Sequence, residues 1–162
     1  MKLPPLLLAA PLALAVLGTD LSAQCDPVGG AVFASYGSSC GPGFEPTTLT
    51  GVYSPVNCTV DLSLNTPAFG FNVFLEARML VLGLQADATP LPIPGQTTQG
   101  CFSWVKPDVI LFQPPPDDTF TFPVPAAAVG LTVLAQGANI WFDTFGFTNT
   151  FQVTHGLSIS VL

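Results

Sequence analysis

Seventeen prolines and fifteen glycines are spread along all 162 residues of this chain rather than gathered in one linker, and no helix-length amphipathic segment lies between them. Proline inside a helix removes a hydrogen bond and clashes with the preceding turn, and glycine there costs about 1 kcal/mol relative to alanine. What fills the gaps between these breakers is short runs of period two, the signature of strands with one face toward a core.

Residues 58–64 alternate cleanly, with Cys58, Val60, Leu62 and Leu64 on one face and Thr59, Asp61 and Ser63 on the other. Residues 71–81 form a longer strand, in which Phe71, Val73, Leu75, Ala77, Met79 and Val81 make an unbroken apolar face. Asn72, Phe74, Glu76, Arg78, Leu80 and Leu82 fall opposite. Glu76 and Arg78 are expected to pair on that second face, a surface contact of about 0–1 kcal/mol. Phe102–Val105 and Val109–Gln113 flank Lys106-Pro107-Asp108 as two short strands. Over 119–124 the inward positions are Phe120, Phe122 and Val124. Residues 131–142 are a long strand or a hairpin broken near Gly137, and Thr148–Val161 closes the chain. Pro114-Pro115-Pro116 is a stiff polyproline II connector. Turn signals recurring roughly every 8–15 residues predict an all-β fold, a two-sheet antiparallel sandwich of about eight or nine strands.

The N-terminus reads as an address. Lys2 precedes an uncharged stretch of Pro, Leu, Ala and Val whose core is residues 6–17, and Leu21-Ser22-Ala23 offers a cleavage site before Gln24. That apolar run is shorter than the roughly 20 residues a bilayer demands. Residues 1–23 are therefore expected to be a signal peptide and residues 24–162 a single secreted domain, extracellular, periplasmic or at the cell surface. No later segment spans a membrane: the most apolar, 69–84, is interrupted by Asn72, Glu76 and Arg78.

Only 8% of residues are charged, and the formal net charge is −7. Past residue 23, Arg78 and Lys106 are the only strong bases. Counterion release from a phosphate backbone needs several Lys or Arg, so nucleic acid is excluded as a partner, and anionic membrane surfaces for the same reason. Cations and neutral glycans stay open. Cys25, Cys40, Cys58 and Cys101 all lie past the cleavage site. An even count in an exported chain reads as two disulfides, in any of three pairings. With no Cys-x-x-Cys and one histidine, the spacing does not make a metal site.

Ala34-Ser35-Tyr36-Gly37-Ser38-Ser39-Cys40-Gly41-Pro42-Gly43 resembles the Tyr-Gly-x-x-Cys opening of a β module recurrent in secreted planctomycete proteins. Later markers follow in order: Gly100-Cys101-Phe102 with Pro107-Asp108, then Phe122-Pro123-Val124-Pro125 before Gly130-Leu131-Thr132-Val133-Leu134-Ala135-Gln136, then Thr148-Asn149 opening the last strand. The resemblance covers nearly all of residues 24–162 and carries no assigned activity. It implies a Cys40–Cys101 bridge, since these match the module's two usual cysteines. Cys25 and Cys58 depart from its pattern and are expected to form the second bridge.

Few residues point to chemistry. Gly37-Ser38-Ser39-Cys40-Gly41 matches G-x-S-x-G, and Asp143 and His155 follow in hydrolase order. A nucleophile elbow needs a helix after the turn, and Gly41-Pro42-Gly43 does not start one. His155 is expected as a partly buried residue at a strand end. Asp117-Asp118 follow the proline run as a solvated turn; as a calcium site they lack the six to eight oxygens of a typical shell. Trp104 and Trp141, with Tyr36 and Tyr53, are candidates for a sugar-stacking platform, against the commoner fate of aromatics in a sandwich core. No catalytic constellation, metal or cofactor is expected. The function expected is a non-catalytic extracellular or envelope module, structural or adhesive, with a cell-envelope glycan or protein as partner. Glycan or calcium binding is the alternative, and a small secreted hydrolase the third reading.

Overall fold

Val60, Leu62 and Leu64 are each exposed by 4% or less, so the alternating run does bury the face its pattern assigns. The computed structural model describes residues 29–41, 46–66, 73–91 and 101–162. The expected signal peptide, Cys25, and Phe71 and Asn72 lie outside them. The described strands are β1 (Ala31–Tyr36), β2 (Leu49–Ser54), β3 (Thr59–Leu64), β4 (Val73–Gly83), β5 (Ala86–Pro90), β6 (Phe102–Val105), β7 (Val109–Gln113), β8 (Thr119–Pro123), β9 (Thr132–Asp143) and β10 (Thr148–Val161). One 3-10 turn, Ala126–Ala128, separates β8 from β9.

All pairings between these strands are antiparallel. A five-stranded sheet runs β1-β10-β9-β4-β7, a three-stranded sheet runs β2-β3-β8, and β5-β6 form a separate pair. The two larger sheets stack as a sandwich. Leu49, Val60, Leu62, Leu64 and Phe120 from the small sheet meet Leu80, Ala135, Leu157 and Ile159 from the large one. Burying a Leu or Ile side chain at such a seam stabilises by roughly 1.5–3 kcal/mol. The segment expected over 131–142 is one continuous strand, Thr132–Asp143, rather than a broken hairpin. Gly137 does not break β9: a side chain there would collide with Leu64, so glycine is what lets the sheets approach.

The phase of β4 departs from the sequence expectation. Pairing with β9 slips between Leu75 and Ala77, so Glu76 is the extra residue of a β-bulge. A bulge shifts side-chain alternation by one. Val73 and Leu75 therefore share the inner face with Trp141, whereas Ala77, Met79 and Val81 turn to the outer face. Arg78 and Leu80 turn inward and are buried, while Glu76 stays exposed. The expected surface pair of Glu76 with Arg78 does not form, because the bulge sends the two side chains to different environments.

The outer face of the large sheet carries a third layer at one end, the β5-β6 hairpin. Gln136, on the outer face of β9, receives the Trp104 amide at 2.9 Å and donates to the Phe102 carbonyl at 3.0 Å. Gly83 sits beneath the Lys106 carbonyl, where any side chain would strike backbone. The proline connector joins β7 to β8 and contains a cis peptide between Pro115 and Pro116. Among the described residues no helix is long and apolar enough to cross a membrane.

Candidate functional site

Cys40 is bonded to Cys101, with 5.4 Å between their α-carbons. Cys40 also exchanges two backbone hydrogen bonds with Val153 of β10, at 2.8 and 2.7 Å. The bridge thus ties the residue before β6 to the sheet edge beyond β1. Cys58 is disulfide-bonded as well.

Trp104 is built into this corner. Its indole N–H donates to the Ser38 carbonyl at 2.8 Å, its own carbonyl accepts from the Tyr36 hydroxyl at 3.1 Å, and its ring lies over Gly37. Phe102 packs beside it, with ring centroids 5.4 Å apart. Its polar groups fasten the hairpin to the loop after β1. Burial pushes the Tyr36 phenol above the ordinary tyrosine range.

Trp141 lies on the opposite side of the large sheet. It is 5% exposed and donates its indole N–H to Gln152 at 2.9 Å. The structure therefore does not bring Trp104 and Trp141 onto one platform, and no sugar ring can reach the face of Trp141. Tyr53 packs against the core.

Trp141 adjoins a polar row that crosses four neighbouring strands inside the sandwich. Gln113, Arg78, Asn139 and Gln152 stand directly opposite one another in register on β7, β4, β9 and β10. Arg78 donates to the Asp117 carbonyl at 2.6 Å and to the Thr66 hydroxyl at 3.1 Å. Asn139 donates to the Asn65 carbonyl, Gln113 to the Thr119 carbonyl, and Thr47 to Gln152. The row ties the large sheet to the loops that follow β3 and precede β8.

Asp117 and Asp118 are exposed, and the Asp118 carboxylate accepts from Thr119. Among the described residues no three His, Cys, Asp or Glu side chains converge as metal ligands. His155 lies within β10 at a bulge between Val153 and Gly156, not at a strand end, and its Nε2 is buried without a hydrogen-bond partner. The Ser39 hydroxyl is therefore not bonded to that nitrogen.

Two apolar features stand out among the described residues. Under the 3-10 turn, a cavity of about 250 Å³ opens between the sheets, lined by side chains such as Val60, Phe122, Val124, Val133 and Ile159. On the outer face of the large sheet, beyond the reach of Gln136 and its hairpin contacts, lies an aromatic end. Phe74 pairs across strands with Phe142, whose ring meets Phe147 edge-on at 6.5 Å. Phe74, Phe145 and Phe147 are 61%, 77% and 80% exposed. Phe147 holds a left-handed backbone, φ 49°, unfavourable for a bulky side chain. The Asp143 carboxylate supports the turn by accepting the Phe145 amide at 2.8 Å. The sequence reading did not single out this end. Its available signal was Phe145-Gly146-Phe147, two aromatics on a turn where polar residues are usual.

No family model matches the chain, and no curated protein or solved structure matches it either.

Proposed function

We propose that this chain is an exported, non-catalytic interaction module, structural or adhesive, acting at the cell envelope or outside the cell. The observation that carries this is the exposed aromatic end where Phe74 and Phe147 flank Phe142, with Phe145 exposed on the adjoining turn. Contiguous exposed apolar surface rimmed by polar residues is the mark of an interaction site, and clustered aromatics supply most of the energy of such contacts. Three features of the chain support export: the signal-peptide pattern over 1–23, the Cys40–Cys101 bridge, and a surface poor in charge.

The test is a binding titration of the labelled, oxidised protein onto envelopes of the producing cell. Saturable binding weakened at least tenfold by Phe147→Gly supports the proposal. Binding indifferent to that substitution overturns it. So does a protein whose only response, in a thermal-shift panel, is to calcium or to a polysaccharide.

A further inference from the structure

We propose that two copies of this chain pair edge to edge through β7, antiparallel and centred on Leu111, so that the five-stranded sheet continues across a two-fold axis. The inference goes beyond the aromatic end and rests on different residues. Among the described residues, strand β7 is the last of its sheet and pairs with β4 alone. Alternate residues of an edge strand point their N–H and C=O groups outward, a template for another strand. Natural edges are blunted by charge, proline or a bulge. Val109–Gln113 contains none of these, and its register with β4 is unbroken over all five pairs.

The side chains make the edge self-complementary. With Leu111 on the two-fold, Ile110 of one copy stands opposite Phe112 of the other, and the same pair recurs on the far side of the axis. Ile110 and Phe112 are paired to Val81 and Met79 on the outer face of the sheet, and they are 49% and 64% exposed. Apolar cross-strand pairs of this kind are the stabilising unit of antiparallel sheets. Val109 faces Gln113, and Asp108 faces Pro114. No like charges meet, although each copy carries a formal net charge of −7. Pro107 and Pro114 leave six residues between them, and of these Val109–Gln113 pair about the axis. Strand β8, the edge of the smaller sheet, lies on the same side of the sandwich, joined to β7 by the Gln113 to Thr119 hydrogen bond. A five-residue strand is about 17 Å long. An edge contact of that length sits below the standard interface of roughly 800 Å² per partner, so a micromolar dimer is expected rather than a permanent one.

Sedimentation equilibrium of the oxidised chain over roughly 5–500 μM reads this affinity range. The expected result is a monomer–dimer equilibrium that Ile110→Lys weakens at least tenfold. The double substitution Ile110→Lys with Phe112→Glu sets opposite charges across the axis and restores the dimer. Both positions are exposed on an edge, so unchanged circular dichroism is expected in each variant. In the unsubstituted chain, amide exchange along β7 slows as concentration rises, a readout that needs no variant. A chain that stays monomeric throughout overturns the inference. So does a dimer that ignores Ile110→Lys, or a double variant that does not recover. Envelope binding that survives in a monomeric chain overturns this dimer alone and leaves the aromatic end as proposed.

Discussion

Arg78 donates to the backbone carbonyl of Asp117 at 2.6 Å and makes no bond to its carboxylate. Arg78 is 6% exposed, and its guanidinium is held by that carbonyl and the Thr66 hydroxyl. Bonds from a charged donor stabilise by about 1.5–3 kcal/mol each, and removing the donor leaves buried acceptors unpaired. Arg78→Ala is therefore expected to cost about 2–4 kcal/mol in guanidinium denaturation. Asp117→Asn, which changes only an exposed carboxylate, is expected to stay within about 0.5 kcal/mol of the parent. Equal losses from both would show that the carboxylate, not the carbonyl, holds the arginine.

The Tyr36 phenol bonds to the Trp104 carbonyl, and burial raises its pKa in the folded state. The unfolded chain ionises near the ordinary tyrosine value of about 10. Above that pH the unfolded state has lost a proton that the folded state keeps, so stability falls as pH rises. The contribution is complete below the unfolded pKa and is lost through the folded one. Urea unfolding is expected to give a flat profile from neutral pH to about 9 and a decline above 10. Tyr36→Phe should flatten that alkaline decline while lowering stability at neutral pH by about 1 kcal/mol, the worth of one hydrogen bond.

Much of this architecture is written in local pattern. The bounds of β6, β7 and β10, and the inward face of β3, follow from alternation and from where Pro and Gly fall. The phase of β4 does not, because a bulge at Glu76 leaves no mark in composition: Glu between Leu75 and Ala77 satisfies either phase. The face of a tryptophan flanked by Ile140 and Phe142 is equally silent, since apolar neighbours on both sides carry no period. Strand β5, with the sequence Ala-Asp-Ala-Thr-Pro, is too polar to register as a strand and owes its place to pairing with β6. Most instructive is β7. A continuous run such as Val109-Ile110-Leu111-Phe112 reads as a strand buried on both faces. Whether a strand lies central or at an edge is a property of long-range pairing, invisible to a local window. The candidate site fares worse, because the aromatic end assembles from β4, β9 and a turn separated by some seventy positions at their extremes, as the pairing of Phe74 with Phe142 shows.

Phe147 offers the sharpest separation of stability from function. Its backbone lies at φ 49°, a region that glycine enters freely and a large side chain enters at a cost of roughly 1 kcal/mol or more. The ring recovers little of this by burial, since it is 80% exposed and its contact with the Phe142 ring is edge-on at 6.5 Å. An edge-on aromatic pair contributes about 0.5–1.5 kcal/mol when well buried and less at the surface. Phe147→Gly is thus expected to leave the unfolding free energy unchanged or raise it by up to about 1 kcal/mol, measured by chemical denaturation. Phe147→Ala keeps the positive φ without the ring and is expected to lose about 0.5–1 kcal/mol relative to the glycine variant. A clear loss of stability in Phe147→Gly would mean that the ring is held for the fold. Retention of stability means that a strained residue is kept in the turn for what its exposed ring touches outside the molecule.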